Sequence, residues 1–271
     1  MSYMKPVLFL LVLLAARSFV FSQPADAEHI PVLAVPATPH EISAGLQRLL
    51  KAYPDHLREA AGNRLVWKDG TAWSYDDGRP KTFEMRLNAP DLEDQMWLAY
   101  PTGQWDLRPA RNVDPGRIRH APFFLKMYGN SPAEVKKKLA SVAWLPGTLN
   151  KTVMITRVNG VNLKLKAVSS ELDRLPGPMK KFISTSPETF NWRNIAGSGR
   201  LSPHSFGIAL DINPAYGNYW RWDLSNTGAP IYKNKIPFEI VEIFEKHGFI
   251  WGGKWYHHDT IHFEYRPELF K

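Results

Sequence analysis

The chain of 271 residues contains no cysteine, and this absence limits how such a chain can be held together. Disulfide bonds, cysteine-ligated zinc clusters and a lipid anchor on cysteine are all excluded. The fold therefore depends on buried apolar side chains, and an apolar content of 44% suffices for one substantial core or two modest ones. Any metal ion must be held by histidine, aspartate or glutamate side chains, or by water.

The N-terminus has the layout of a secretory signal peptide. Lys5 precedes an apolar run over residues 6–16, and small residues follow the run. Arg17 ends the run well short of the roughly 20 apolar residues that a membrane span requires. We therefore predict a signal peptide over residues 1–27 and a Pro- and Ala-rich linker over residues 28–39. The mature protein is expected to be exported, periplasmic or secreted, without a stable membrane span; an uncleaved anchor is the alternative.

The charge balance is strongly basic, with a formal net charge of +8 at pH 7. A basic exported protein is attracted to acidic surfaces, and anionic cell-wall polymers are closer at hand than nucleic acid. No basic helix with interleaved aromatic residues is apparent, so we expect no binding of nucleic acid. Solubility alone explains the charge at least as well as a cell-wall partner does.

Capping boxes, apolar periodicity and turn residues predict the main elements of the fold. Helices are predicted to begin at capping boxes at Thr38 and at Ser131, the second helix running through to Ser141, and to cover residues 169–175 and 237–247. Hairpins are predicted at Asp69-Gly70 and Asn159-Gly160, and short elements over residues 76–130. The Asn-Gly hairpin is the clearest, because Leu163, Leu165 and Ala167 alternate with lysines after the turn. Hairpins separated by helices favour an α+β fold, with an antiparallel sheet and flanking helices.

The segment SPHSFGIALDI, residues 202–212, combines a histidine and an aspartate with a strand pattern. Its apolar residues alternate with a period of two, so Asp211 projects from the face opposite to the apolar set. His204 lies just upstream of Gly207, on a segment that can turn back toward Asp211. Such a pair can share one zinc ion, which in catalytic sites usually takes three protein ligands and keeps a position for water.

We place the third ligand in DTIHFEY, residues 259–265, where Asp259 precedes His262 by three residues. On a strand, His262 shares its face with Glu264, whereas a turn at Asp259 brings that carboxylate beside the metal. The chemistry needs one carboxylate that takes a proton from the attacking water and passes it to the leaving amine. The spacing alone leaves Asp259 and Glu264 as alternative general bases.

Taken together, SPHSFGIALD and DTIHFEY resemble the D-alanyl-D-alanine carboxypeptidase family of zinc peptidases, metallopeptidase family M15, which also includes L-alanyl-D-glutamate endopeptidases. The resemblance covers roughly residues 150–271. It implies a zinc peptidase core of the hedgehog/DD-peptidase type over residues 151–271, with one Zn²⁺ per chain. Residues 40–150 are then expected to form an N-terminal extension that packs on this core.

The resemblance also assigns roles to individual residues. It implies zinc ligands at His204, Asp211 and His262, a catalytic acid/base at Asp259, and a serine near the substrate at Ser202. With Asp259 in that role, Glu264 is expected to be the partner that orients His262. A His-Asp-His set also accepts other divalent ions, so zinc is an inference from the family.

The substrate-binding arginine of the family, often in a Gly-Tyr-Arg setting, has no clear counterpart. The nearest match is FNWRNIAGSGR, which contains Arg193 and Arg200. Either guanidinium can hold a substrate carboxylate in a two-pronged grip. Arg117 and Arg119 lie outside the region of resemblance, where they either cover the cleft or stabilise a loop.

The resemblance thus implies a zinc-dependent peptidase that hydrolyses peptidoglycan stem peptides, with D,D-carboxypeptidase activity favoured. One alternative is an L-alanyl-D-glutamate endopeptidase of the same family, because the two activities differ in pocket shape more than in catalytic residues. The other alternative is a non-catalytic cell-wall-binding module with a structural metal. A carboxylate that is spare beside the metal argues against the module.

Overall fold

The structure is a computed structural model that describes residues 42–104 and 108–271. Its α-helices are α1 (Ala44–Ala52), α2 (Phe83–Asn88), α3 (Leu92–Met96), α4 (Ala121–Tyr128), α5 (Pro132–Lys137), α6 (Val161–Leu172), α7 (Gly177–Lys180) and α8 (Phe238–Lys246). Its strands are β1 (Leu57–Ala61), β2 (Arg64–Trp67), β3 (Ala72–Ser74), β4 (Leu139–Trp144), β5 (Lys151–Thr156), β6 (Ala209–Asp211), β7 (Phe249–Trp251) and β8 (His262–Tyr265). Among these described helices, none combines the length and the apolar character needed to cross a membrane. The predicted signal peptide, linker and Thr38 capping box lie outside the described residues.

The strands of the described residues form three small antiparallel sheets, in the orders β1-β2-β3, β4-β5 and β6-β8-β7. In the third sheet, Asp211 pairs with His262 and Ala209 pairs with Glu264. This register brings together two sequence motifs that are far apart along the chain. The predicted α+β class is confirmed at the level of small antiparallel sheets and several helices, and the hedgehog-type core stays a prediction.

Buried apolar side chains connect the elements on both sides of residue 150. Phe244 of α8 stacks on Phe263 of β8, with ring centroids 3.8 Å apart. Phe124 of α4 stacks on Phe206, which follows His204 by two residues, at 5.6 Å. Helices from both parts of the chain thus pack against the two motifs, α8 against β8 and α4 against the segment that carries His204. The division into an extension and a catalytic core at residue 150 stays a prediction.

The predicted hairpin at Asn159-Gly160 is wrong, because α6 follows the turn. Asn159 and Gly160 do have the positive φ angles that an Asn-Gly turn requires, 56° and 66°. After the turn, however, the buried positions are Val161, Leu165, Val168 and Leu172, which follow the period of a helix. Strand β5 pairs instead with the preceding strand β4. The alternation of apolar residues with lysines covers only a few positions, and a helix satisfies it equally well.

The helix that begins after Ser131 is shorter than predicted. Ser131 caps α5, and its Oγ accepts a hydrogen bond from the N–H of Glu134 at 3.3 Å. The helix ends at Lys137 instead of Ser141, because the following residues form β4 and pair with β5. The predicted helix over residues 169–175 is the end of α6, which finishes at Leu172.

Two other local predictions are confirmed, and the predicted first helix is present but begins later than the capping box at Thr38 implies. Helix α8 occupies the predicted interval, and Gly248 follows it with a φ of 84°. Strands β2 and β3 form the hairpin predicted at Asp69-Gly70. The first helix, α1, begins at Ala44, and its cap within the described residues is Ser43, whose Oγ accepts from the N–H of Leu46 at 3.2 Å.

Candidate active site

A short 3₁₀ helix, Pro203–Phe206, presents His204 in a cleft of about 330 Å³. Ser202 begins this helix, and its Oγ accepts a hydrogen bond from the N–H of His204 at 3.3 Å. The Nδ1 atom of His204 lies 2.6 Å from the carbonyl oxygen of Thr189, to which it donates. The Nε2 atom therefore keeps its lone pair, in the neutral imidazole, and points into the cleft. Ser202 is buried and lines the same cleft.

Asp211 and His262 face each other across the β6-β8 pair. Asp211 Oδ1 lies 2.8 Å from Nδ1 of His262 and 3.2 Å from Nε2 of His204. One donor atom from each of the three side chains lies within 4.8 Å of the other two. Metal–ligand distances of about 2.0 to 2.2 Å for nitrogen and oxygen allow a single zinc ion to contact all three. The structure therefore brings together the three residues predicted as metal ligands.

The Nε2 atom of His204 supports a cation at this position. It is buried, and it has no hydrogen-bond partner among the described residues. Leaving such an acceptor unsatisfied costs about 1 to 3 kcal/mol, and buried polar atoms without a partner are uncommon in folded proteins. A divalent cation between the two imidazoles would accept this lone pair. Two histidines and one aspartate are donors that zinc commonly takes.

Glu264 lies on the far side of His262 from Asp211 and is completely buried. Its Oε2 accepts a long hydrogen bond from Nε2 of His262 at 3.4 Å, while Arg119 Nε and Arg266 Nη1 each donate to its Oε1 at 2.8 Å. Burial alone would raise the pKa of Glu264, but the two arginines and His262 hold it well below its usual value. This carboxylate occupies the position expected of a residue that orients His262.

Asp259 lies at the turn before β8, and its half-buried side chain lines the same cleft as the three candidate ligands. Its N–H donates to the carbonyl of Gly252 at 3.1 Å, and a Cβ at Gly252 would lie 2.6 Å from the carbonyl oxygen of Asp259. Only glycine permits this close approach. Burial, and then the charge of Asp211, raise the pKa of Asp259 to about 6. A carboxyl group with that pKa can both accept and donate a proton near neutral pH.

The two candidate substrate-binding arginines differ in their surroundings, although both line the cleft. Arg200 is half-buried, and its buried Nε has no hydrogen-bond partner among the described residues. Burial, and then repulsion by Arg119 and Arg117, lower the pKa of Arg200 to about 10, so it stays protonated at neutral pH. Arg193 is exposed, and its Nε lies 3.9 Å from Oε1 of Glu188. Of the two candidates, Arg200 is therefore the one with a buried, unused donor beside the cleft.

Two contacts from the part of the chain before residue 150 are not apparent in the motifs. Arg119 pairs with Glu264, as described above. Asp114 accepts hydrogen bonds from the backbone N–H of His257 at 2.8 Å and from its Nδ1 at 2.6 Å, two residues before Asp259. Both residues lie in the turn-rich stretch DPGRIR, whose one visible signal is its pair of arginines.

Comparison with known proteins gives one match. Residues 196–265 match a family model described as D-alanyl-D-alanine carboxypeptidase. No match was found among curated proteins or among solved structures. The matched segment contains both motifs, and it supports a hydrolytic enzyme of the peptidase class. The resemblance predicted from the two motifs is therefore confirmed over residues 196–265, where the chain is similar to the D-alanyl-D-alanine carboxypeptidase family of peptidases.

Proposed function

We propose that this protein is a zinc-dependent peptidase that hydrolyses the stem peptides of peptidoglycan. The observation that carries the proposal is the convergence of His204, Asp211 and His262 donor atoms within 4.8 Å, next to Asp259, inside the segment that matches the peptidase family. A zinc ion held by the three side chains would supply Lewis-acid polarisation of the scissile carbonyl.

Asp259 is the proton-transfer group of the proposal. Its carboxylate accepts a proton from the attacking water and then donates that proton to the nitrogen of the leaving amine. The raised pKa of Asp259, about 6, supports this role because both protonation states are accessible near neutral pH. Glu264 is unsuited to the task, since its two oxygens are already occupied by arginines and His262.

Arg200 is the anchor for a substrate carboxylate. A carboxylate beside it would receive the unused N–H donors and would relieve the repulsion among Arg200, Arg117 and Arg119. A half-buried guanidinium with an unpaired Nε suits one terminal carboxylate, which favours D,D-carboxypeptidase activity. Cleavage between L-alanine and D-glutamate is the alternative, because that substrate also carries a carboxylate near the scissile bond.

Digestion of whole peptidoglycan by the mature protein, followed by mass spectrometry of the products, tests the proposal. Release of free D-alanine is the expected result, and release of peptides cut after L-alanine would identify the endopeptidase. A His204→Ala variant is expected to lose both zinc and hydrolysis, because a donor of the site is removed. Hydrolysis by His204→Ala at the parental rate would refute the metal site, and wall binding without hydrolysis by the parent would favour the non-catalytic module.

We further propose that the protein acts after export, in the periplasm or outside the cell, where its substrate lies. The predicted signal peptide over residues 1–27 supports this location. N-terminal sequencing of protein recovered from the extracytoplasmic fraction tests it, with a mature N-terminus close to residue 28 as the expected result. Recovery of the uncleaved chain in the cytoplasm would contradict it.

A further inference from the structure

We propose that residues 113–119, which lie outside the family match, complete the active site, and that Arg119 is a positioning residue for His262. The inference rests on the proposed function in one respect, since it takes His262 to be a metal ligand. It goes beyond that function because it assigns a role in the catalytic centre to a segment that the family resemblance leaves unassigned.

The 113–119 segment is bonded along its length to the stretch that carries Asp259 and His262. The backbone carbonyls of Val113, Pro115 and Gly116 accept from Tyr256 N at 3.0 Å, Trp255 Nε1 at 2.6 Å and Arg266 Nη1 at 2.9 Å, and the Asp114 carboxylate accepts from His257. The partners span residues 255–266, on both sides of Asp259 and His262. The segment also packs closely on β7, since a Cβ at Gly116, whose φ is 101°, would lie 2.3 Å from Cδ1 of Ile250. The segment therefore restrains the catalytic stretch from both ends.

Arg119 forms the end of a chain of contacts that reaches the candidate metal site. Its Nε donates to Oε1 of Glu264 at 2.8 Å, and its Nη2 donates to Oε2 of the same carboxylate. That Oε2 faces Nε2 of His262 at 3.4 Å, and Nδ1 of His262 faces Asp211 at 2.8 Å. The two-pronged grip fixes the plane of the carboxylate, and the carboxylate in turn fixes the orientation of the imidazole.

Arg266 does not duplicate this grip. Of the two oxygens of Glu264, Arg266 donates only to Oε1, through Nη1, and its Nε donates a hydrogen bond to Glu268. Without Arg119, the oxygen that faces His262 would lose its guanidinium partner, while the buried carboxylate would still be partly neutralised by Arg266. The unique contribution of Arg119 is therefore the orientation of Oε2. A lysine at this position keeps the charge but cannot supply two parallel N–H donors.

Arg119 is also distinct from a substrate anchor. Besides its two bonds to Glu264, its Nη1 donates to the carbonyl of Arg117 at 3.3 Å, and its side chain is only 10% exposed. Its donors are thus directed at the protein, whereas those of Arg200 are free in the cleft. Loss of a positioning residue should lower kcat and zinc affinity, whereas loss of an anchor should raise KM.

The experiment compares Arg119→Gln and Arg119→Lys with the parent, using the full mature protein. Zinc dissociation constants are measured by competition with a chelator, and kcat and KM are measured on a stem peptide. Both variants are expected to bind zinc roughly 10- to 100-fold more weakly and to lose kcat by a similar factor, with KM nearly unchanged. The matched control is Arg111→Gln, which removes the same charge from an exposed side chain in the same loop region.

Thermal unfolding of the zinc-free proteins separates positioning from a general loss of structure. A folded Arg119→Gln variant with parental zinc affinity and kcat would overturn the inference. If Arg119→Gln does not fold, Arg119→Lys provides the test. Parental zinc affinity and kcat in Arg119→Lys would likewise overturn the role of the two-pronged grip on Glu264. Recovery of kcat in folded Arg119→Ala on addition of millimolar guanidinium supports positioning, and absence of any recovery counts against it.

The outcomes distinguish this inference from the proposed function. If the parent binds zinc and hydrolyses the peptide, and the Arg119 variants keep the parental zinc affinity and kcat, the inference is refuted and the proposed function is retained. A parent that binds no zinc overturns both. Weak zinc binding in the Arg119 variants, set against parental zinc binding in Arg111→Gln, supports the inference even where the substrate bond is still unidentified.

Discussion

Two regions of the described chain gather metal-ligating side chains, and they differ in how their charges are satisfied. In the first, His204, Asp211 and His262 converge, and Nε2 of His204 is buried without a partner. The second contains two groups of three carboxylates that share Asp91, and within each group the oxygens lie in the same range; the groups are Asp76, Asp77 and Asp91, and Asp91, Glu93 and Asp94. There the ammonium group of Lys81 lies 2.8 Å from Asp91.

In the acidic region, the protein itself already supplies a cation to three of the carboxylates. Lys81 Nζ also lies 2.6 Å from Asp94 and 3.1 Å from Asp77, and its side chain is only 5% exposed. Burial would lower the pKa of Lys81, but the three carboxylates raise it above its usual value. The comparison teaches that proximity of ligand-type residues does not make a metal site. The histidine cluster is distinguished by a buried Nε2 atom of His204 that has no hydrogen-bond partner among the described residues.

The largest effect is expected when the proton-transfer group is removed and the ligands are kept. Asp259→Asn should lower kcat by about 10²- to 10⁴-fold, because the amide cannot take up a proton. Zinc stoichiometry, measured by elemental analysis, should stay at the parental value, since Asp259 is not one of the three donors. Loss of zinc together with activity would instead mean that Asp259 is a metal ligand. The histidine site would then have four donors instead of three.

The next effect concerns the free guanidinium in the cleft. Arg200→Ala should lower kcat/KM for a peptide with a free carboxylate by about 10- to 100-fold, mainly through KM, because a charge-assisted hydrogen bond contributes about 1.5 to 3 kcal/mol. Arg193→Ala is the matched control and should have a small effect, since that side chain is exposed. Steady-state kinetics of both variants provide the comparison. A larger KM effect in Arg193→Ala would reverse the assignment.

Proton competition should affect the histidine site by about tenfold per pH unit. Burial lowers the pKa of His262, but Asp211 and Glu264 outweigh burial and raise the pKa to about 10 in the metal-free protein. A bound cation must displace this proton. Zinc affinity should therefore rise by about one order of magnitude per pH unit between pH 6 and 8, and fall as the pH drops. Chelator competition at several pH values measures the slope. A zinc affinity independent of pH would mean that His262 is not a donor.

The smallest effect on zinc is expected in the acidic region. Lys81→Met removes the internal cation and should destabilise the fold by about 1 to 3 kcal/mol, because the buried Asp94 then keeps only Arg86 as a cation partner, while Asp77 and Asp91 reach solvent. Zinc affinity and kcat should not change, since the acidic cluster takes no part in the site. Thermal unfolding and chelator competition on the same sample measure the two effects. Weaker zinc binding without a loss of stability would show that the acidic region has been misread.

The sequence predicted the candidate site better than it predicted the fold around it. His204, Asp211, Asp259 and His262 could be found because their motifs are short and β6 and β8 are neighbours in one sheet. The choice between Arg193 and Arg200 could not be made, since it depends on burial and on free donors, which spacing does not express.

The errors in the fold have a common physical cause. The alternation of apolar residues with lysines after Asn159-Gly160 fits a strand and part of a helix equally well. The tertiary packing of α6 decides between them. Arg119 carries no periodic signal, because its contact is with Glu264, which lies 145 residues further along the chain. Long-range contacts of this kind are invisible to local patterns.

Anomalous scattering at the zinc absorption edge, from crystals of the protein grown with equimolar zinc, would locate the metal. We expect one peak per chain, within bonding distance of Nε2 of His204, a carboxylate oxygen of Asp211 and Nδ1 of His262, with Asp259 close by and unbound. A peak among the carboxylates around Lys81, or no peak between the two imidazoles, would contradict this expectation.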